Sequence, residues 1–199
     1  MPAYDIVDRH SILVEAPAAV ILAVARDMEL FQLPVVRAIV RGRELVLRAG
    51  PDDRPRPRGL LAEAQSLGCG VLAEVPEREI VVGAVTKPWE ANVTFRSVPA
   101  DEFAAFAEPD YVKIAWTLRA DPVDDGSAVF RTETRAMPTD ATARAKFRRY
   151  WPFFSPGIKL IRRMALREVR AQAARRGRGV SSERIQVPLT GHEGGTHAR

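Results

Sequence analysis

Order constrains this chain more than composition does. Strand-like segments fill the middle, and a long helical segment comes last, from Ala141 to Ala174. An amphipathic helix is stable only when its apolar stripe is covered, so the terminal helix needs the sheet beneath it. A sheet that curls around a terminal helix makes a container. The expected class is therefore α+β, with a curved antiparallel sheet wrapped around a long C-terminal helix. The expected organisation is one domain over residues 1–176, with a helical insertion or lid over 34–66 and a disordered tail over 177–199.

Ile6 to Ala16 reads as a strand in which His10, Ile12 and Val14 share one face and Ser11, Leu13 and Glu15 the other. Pro17 suits the first turn of a helix that ends near Asp27, and Pro34 starts a second helix that runs toward Gly50. The Pro-rich run 51–58 is a loop, and Leu60 to Gln65 a short helical piece. Gly70–Val75 and Arg78–Thr86 form an expected hairpin that turns at Pro76-Glu77. Ala91–Val98 is a third strand, and 100–106 a short helix or wide loop.

Tyr111–Ala120 alternates, with Val112, Ile114, Trp116 and Leu118 on one face and Lys113, Thr117 and Arg119 on the other. Lys113 and Arg119 are expected in solvent. Asp124-Asp125-Gly126 marks a hairpin, and the strand returns with Phe130, Thr132 and Thr134 opposite Arg131, Glu133 and Arg135. Arg119 and Arg131 are placed to pair across the outer face with Glu133 or a similar group. Thr139 or Asp140 caps the terminal helix, which Pro152 to Gly157 is expected to break in two. In the second piece Ile158, Leu160, Ile161, Met164, Ala165 and Val169 fall largely on one side, with Lys159, Arg163, Arg167 and Arg170 opposite.

Charge is polarised along the chain. Residues 141–178 hold twelve Lys and Arg against Glu168 alone, an excess of +11; the net charge is +5, which leaves −6 for the remainder. Such a helix attracts anionic lipid, an acidic partner or nucleic acid, or simply forms a solvated face. Nucleic-acid binding is disfavoured, because the nearby Tyr150, Trp151, Phe153 and Phe154 read as a buried or membrane-facing cluster rather than a stacking platform. Cys69 is the single cysteine, which excludes an intrachain disulfide and any multi-cysteine metal site. The N-terminal residues lack a secretory pattern, and no apolar run approaches the roughly 20 residues of a membrane span, so a cytoplasmic protein is expected.

Few residues offer chemistry. His192, Glu193 and His197 sit in the tail without the rigid frame a metal requires, and no phosphate-binding glycine loop follows a strand, so neither metal nor cofactor is expected. Cys69 has no basic neighbour in sequence, and Ser155 reads as a helix cap rather than a nucleophile. His10 is either a packed histidine or a cavity acid-base group. Glu168 falls either within the apolar arc of the last helix or, if the stripe rotates toward Leu166, at its rim; Arg162 has the mirror-image ambiguity.

The segment Ser11-Ile12-Leu13-Val14-Glu15-Ala16-Pro17 is followed by Val20 and Asp27. Later come Thr132-Glu133-Thr134-Arg135, Phe147-Arg148-Arg149-Tyr150-Trp151 and Leu160-Ile161-Arg162-Arg163. Together these resemble the START/polyketide-cyclase superfamily, whose helix-grip fold wraps a sheet around a C-terminal helix, over about Asp5 to Ala174. The basic stretch Pro34–Arg58 departs from the smallest members. The resemblance implies an apolar small molecule or lipid between sheet and helix. Candidate ligand-binding residues are Trp116, Phe130, Trp89, Phe95, Ile114, Met164, His10 and Glu168, with Gly83 and Ala84 as small residues that leave room; the same aromatics also suit a closed core. A binding protein without catalysis, a cyclase- or dehydratase-like enzyme, and a peripheral protein on an anionic membrane are the three functions to separate.

Overall fold

A computed structural model describes residues 4–50 and 57–185. Strand β1 (Ile6–Val14) leads into helix α1 (Ala18–Asp27), a 3₁₀ turn (Leu30–Gln32), α2 (Pro34–Leu47) and α3 (Leu60–Ser66). Then follow β2 (Gly70–Val75), β3 (Glu79–Thr86), β4 (Phe95–Arg96), the one-turn helix α4 (Ala100–Phe103), β5 (Val112–Asp124), β6 (Ser127–Pro138) and α5 (Ala141–Ile185). The strands form one antiparallel sheet in the order β1-β6-β5-β3-β2, with β4 attached to β3. A curved antiparallel sheet with a long C-terminal helix is the helix-grip arrangement, in the α+β class.

Period-two patterning sets the register. Rows cross the concave face: Ile6, Ala136, Ile114 and Ala84; Asp8, Thr134, Trp116 and Val82; His10, Thr132, Leu118 and Ile80. Strand β1 contributes Asp8 and His10 to two of these rows and β6 contributes Thr134 and Thr132 beside them, while β5 and β3 contribute apolar groups. The main core lies on this face, where Val14, Ile80, Leu118 and Phe130 meet Ile21 and Val24 of α1 and Leu166, Val169 and Ala173 of α5. Both hairpins turn where the sequence indicates. Glu77 takes a positive φ in the first, and the Asp124 carboxylate accepts the Gly126 N–H at 2.9 Å in the second. Asp140 caps α5, accepting the Ala143 N–H at 2.7 Å.

Several expectations change. Helix α5 is continuous through Pro152 and Pro156. Each proline removes one helical hydrogen bond, but both lie on the exposed side, where water reaches the freed carbonyls. The helix also continues past Gly177 to Ile185, and Gly177 packs on the Ala16 corner, where an added Cβ would lie 3.2 Å from Ala16 Cβ. The rest of the expected disordered tail, including His192, Glu193 and His197, lies outside the described residues. The third strand shrinks to Phe95–Arg96.

Lys113 is buried, not solvated. The convex face has its own cover, in which Phe103, Phe106 and Tyr111 pack over Val85 and Ala115. Lys113 lies beneath this layer and its Nζ donates to the Ala104 carbonyl at 2.8 Å. Arg119 is exposed, and it and Arg131 pair with Asp121 at 2.6 and 2.8 Å, while Glu133 pairs with Arg9 and Arg135.

Candidate functional site

Three contiguous lobes of about 170, 280 and 520 Å³ lie between the concave face and α5. Trp116, Leu118 and Phe130 line the first from the sheet, and Ile158, Ile161, Ala165 and Val169 from α5. Trp116 and Ile158 also border the second, which adds Val82, Ala84, Ile114, Phe95, Trp151 and Cys69. Ile114, Phe95 and Trp151 continue into the third, which reaches Val40, Arg43 and Glu44 of α2 and the 88–95 segment.

Local rules place these walls. Inward residues of β5 alternate with residues of the convex face, so Ile114 and Trp116 lie on the cavity side as a pair. On α5 the inward stripe repeats at helical spacing: Ile158, Ile161, Arg162, Ala165, Leu166, Val169 and Ala173. The stripe is rotated toward Leu166 relative to the apolar arc drawn from sequence. That rotation leaves Leu160 exposed and brings Arg162 inward.

Arg162 is the charged side chain of the first two lobes. Its Nη1 donates to the Asp8 carbonyl at 3.2 Å and lies 3.2 Å from Asp8 Oδ2, and its Nη2 donates to Thr134 Oγ1. Burial pulls the guanidinium below its ordinary pKa, and the Asp8 charge opposes that shift. His10 Nε2 lies 3.3 Å from Asp8 Oδ2, the same oxygen that Arg162 approaches. Trp116 Nε1 donates to Thr132 Oγ1 at 2.9 Å, which orients the indole against its neighbouring strand. The polar set is therefore one chain, His10–Asp8–Arg162–Thr134, beside a second pair, Trp116–Thr132.

Of the residues singled out from sequence, Trp116, Phe130, Ile114 and Phe95 line the cavity. Trp89 packs instead with Val112, Ala136 and Phe147, and Lys146 Nζ sits 5.4 Å from its ring centroid. His10 faces Asp8 and is not among the lining residues. Met164 is half-buried beside the stripe, and Glu168 accepts a hydrogen bond from Gln172 at 2.8 Å, also away from the lining. Gly83 faces the convex side: a Cβ there would lie 2.4 Å from Leu72 Cδ1, whereas Ala84 points inward. Asp8 and Arg162 were not among those candidates. Asp8 shares the strand parity of His10, and Arg162 stood between the two possible sides of the last helix, so the signals were present but unresolved.

Helices α2 and α3 cover the cavity. Arg43 donates to the Pro88 and Glu90 carbonyls at 3.2 and 3.1 Å, and the Gly50 N–H donates to Asn92 Oδ1 at 3.0 Å, so the C-terminal part of α2 and the residues just after it hold the 88–92 segment. Gly157 lets α2 approach α5 closely; a Cβ there would lie 3.0 Å from Ile39 Cγ2. Cys69 lines the second lobe, and burial pushes its thiol up to about 11, so it is protonated and inert at neutral pH. Among the described residues no group of three or more His, Cys, Asp and Glu is placed to hold a metal ion. No described helix is long and apolar enough to cross a membrane.

No protein-family model matches the chain, and no curated protein does. A crystal structure of a hypothetical protein from Helicobacter pylori is 11% identical with a TM-score of 0.40, covering 87% of this chain and 91% of its own. A structure from Deinococcus radiodurans is 15% identical at 0.32, covering 73% and 94%. The Zhui aromatase/cyclase from a Streptomyces species is 15% identical at 0.28, covering 86% and 94%.

Proposed function

We propose that the protein binds an apolar small molecule or lipid in the cavity between sheet and α5, without catalysing its conversion. The observation that carries this reading is the lining of the first two lobes, which is apolar and aromatic except for Arg162, Thr132, Thr134 and Cys69. A mostly apolar cavity with a few fixed polar groups is the usual form of a small-molecule site. Arg162 and its threonine neighbours then meet the one polar or anionic group of the ligand. General acid-base catalysis needs a group that titrates near the working pH. Among these lining side chains the guanidinium stays protonated and the Cys69 thiol is pushed upward, so neither meets that need.

Helix α2 acts as a lid over the third lobe, latched by Arg43 on the Pro88 and Glu90 carbonyls. The second reading, a cyclase-like enzyme, draws on the His10–Asp8 contact, which reaches the cavity only through Arg162.

A fluorescent fatty-acid probe titrated into wild type, Ala165→Phe and His10→Ala tests the proposal. Wild type is expected to bind with Kd below about 100 μM, roughly −5.5 kcal/mol. Ala165→Phe, which remains folded by circular dichroism, weakens the probe about tenfold or more by filling the first lobe, and His10→Ala leaves it unchanged. Absence of probe binding to wild type would overturn the reading, and an activity abolished by His10→Ala would replace it with the enzyme.

A further inference from the structure

We infer that the outward faces of α2 and α5 form a docking surface for an anionic lipid bilayer. On α5 the side opposite the cavity stripe carries Arg149, Phe153, Leu160, Arg163, Arg167 and Arg170 at helical spacing. Phe153 is 67% exposed and Leu160 45%. On α2, Val35, Leu45 and Val46 are 42%, 79% and 58% exposed; helical spacing puts Leu45 beside Arg41 on the outward side and Val35 and Val46 on the flank that carries Ile39. The two helices meet at Gly157 and Ile39, so the Val35–Val46 flank of α2 lies on the side that approaches α5.

The charges on this side differ from those elsewhere. Across the sheet, Arg9, Arg119, Arg131 and Arg135 each hold a carboxylate, and at the start of α5 Arg144 and Lys146 hold Asp5 and Asp110. Among the described residues no such partner is found for Arg37, Arg41, Arg149, Arg163, Arg167 or Arg170. A second copy of the chain would bring like charges together. A nucleic acid favours aromatic rings interleaved with the basic groups, whereas four of the five exposed apolar side chains here are aliphatic. Unpaired arginines around exposed Leu, Val and Phe match an interfacial bilayer contact, in which apolar groups enter the headgroup boundary and guanidinium groups meet anionic lipid. The inward faces of the same helices wall the third lobe through Val40, Arg43, Trp151 and Ile158, so docking sets that wall against lipid. The inference does not depend on what the cavity holds.

The test is co-sedimentation with sucrose-loaded vesicles of phosphatidylcholine alone, or with about 30% phosphatidylserine. Wild type is expected to bind the anionic vesicles, not the neutral ones, and to be released as salt shortens the Debye length below about 10 Å. Each arginine removed near the surface lowers partitioning about fivefold, so Arg163→Gln/Arg167→Gln is expected to lose about 25-fold. Phe153→Ser/Leu160→Ser, checked by circular dichroism, is expected to lose a further apolar share, about tenfold. Failure of wild type to sediment with anionic vesicles at low salt overturns the inference. So does duplex DNA that binds the protein and displaces it from vesicles while Phe153→Ser/Leu160→Ser leaves sedimentation unchanged, which would mark a general polyanion site. Either failure leaves the probe titration of the cavity unaffected.

Discussion

The Arg162 guanidinium lies 3.2 Å from the Asp8 carboxylate, joining the last helix to the first strand, with 13% and 11% of the two side chains exposed. Removing one member strands the other charge in a low-dielectric site. Asp8→Ala is expected to cost about 3–5 kcal/mol in urea unfolding, and Asp8→Leu/Arg162→Met much less, because no lone charge remains. The coupling is read from the double-mutant cycle. A cost below about 1 kcal/mol for Asp8→Ala would mean that water, not Asp8, solvates Arg162.

Lys113 carries its amine beneath the convex cover, and burial lowers its pKa from the ordinary 10.5. Between the lowered folded value and 10.5 the unfolded chain binds more protons, so stability rises with pH through that window. Lys113→Met is expected to abolish this rise and to match or exceed wild-type stability at neutral pH. Thermal melts from pH 7 to 11 measure it, and an unchanged slope in the variant would assign the rise to another group.

Gly68 has φ +104°, and a Cβ there would lie 2.1 Å from the Phe95 carbonyl oxygen. Two costs coincide, a left-handed backbone and a backbone clash that no side-chain rotation relieves. Gly68→Ala is expected to lose about 3 kcal/mol or more and to displace Phe95 from the cavity, weakening the fatty-acid probe as well. Gly83→Ala meets mainly the flexible end of Leu72 and is expected to cost about 1 kcal/mol with probe binding intact.

Asp140 caps α5, and the Ala143 and Asp110 backbone N–H groups hold its carboxyl below the ordinary 3.8. Its stabilising contribution is therefore present above 3.8 and is lost as pH falls through the folded value. Asp140→Asn keeps an acceptor for the cap but not the charge, so it is expected to lower the melting temperature at pH 7 and to flatten the acid limb below pH 4. Equal acid slopes in wild type and variant would place that limb on other carboxylates.

Local rules determined much of this molecule. Alternation through β5 and β6 placed Trp116 and Phe130 on one face, because side-chain period in a strand allows only two faces. Asp124-Asp125-Gly126 marked its hairpin and Asp140 its cap, because both act within a few residues of themselves. What depended on distant partners was decided by the tertiary structure. The buried side of α5 turned toward Leu166, bringing Arg162 to Asp8 and leaving Glu168 with Gln172, because helical phase follows the surface it packs on. Pro152 and Pro156 were accommodated because they lie on the solvent side of that helix. Lys113 was buried because Phe103, Phe106 and Tyr111 cover a face that alternation alone assigns to water. A sequence period names the two sides of an element; only packing decides what covers each of them.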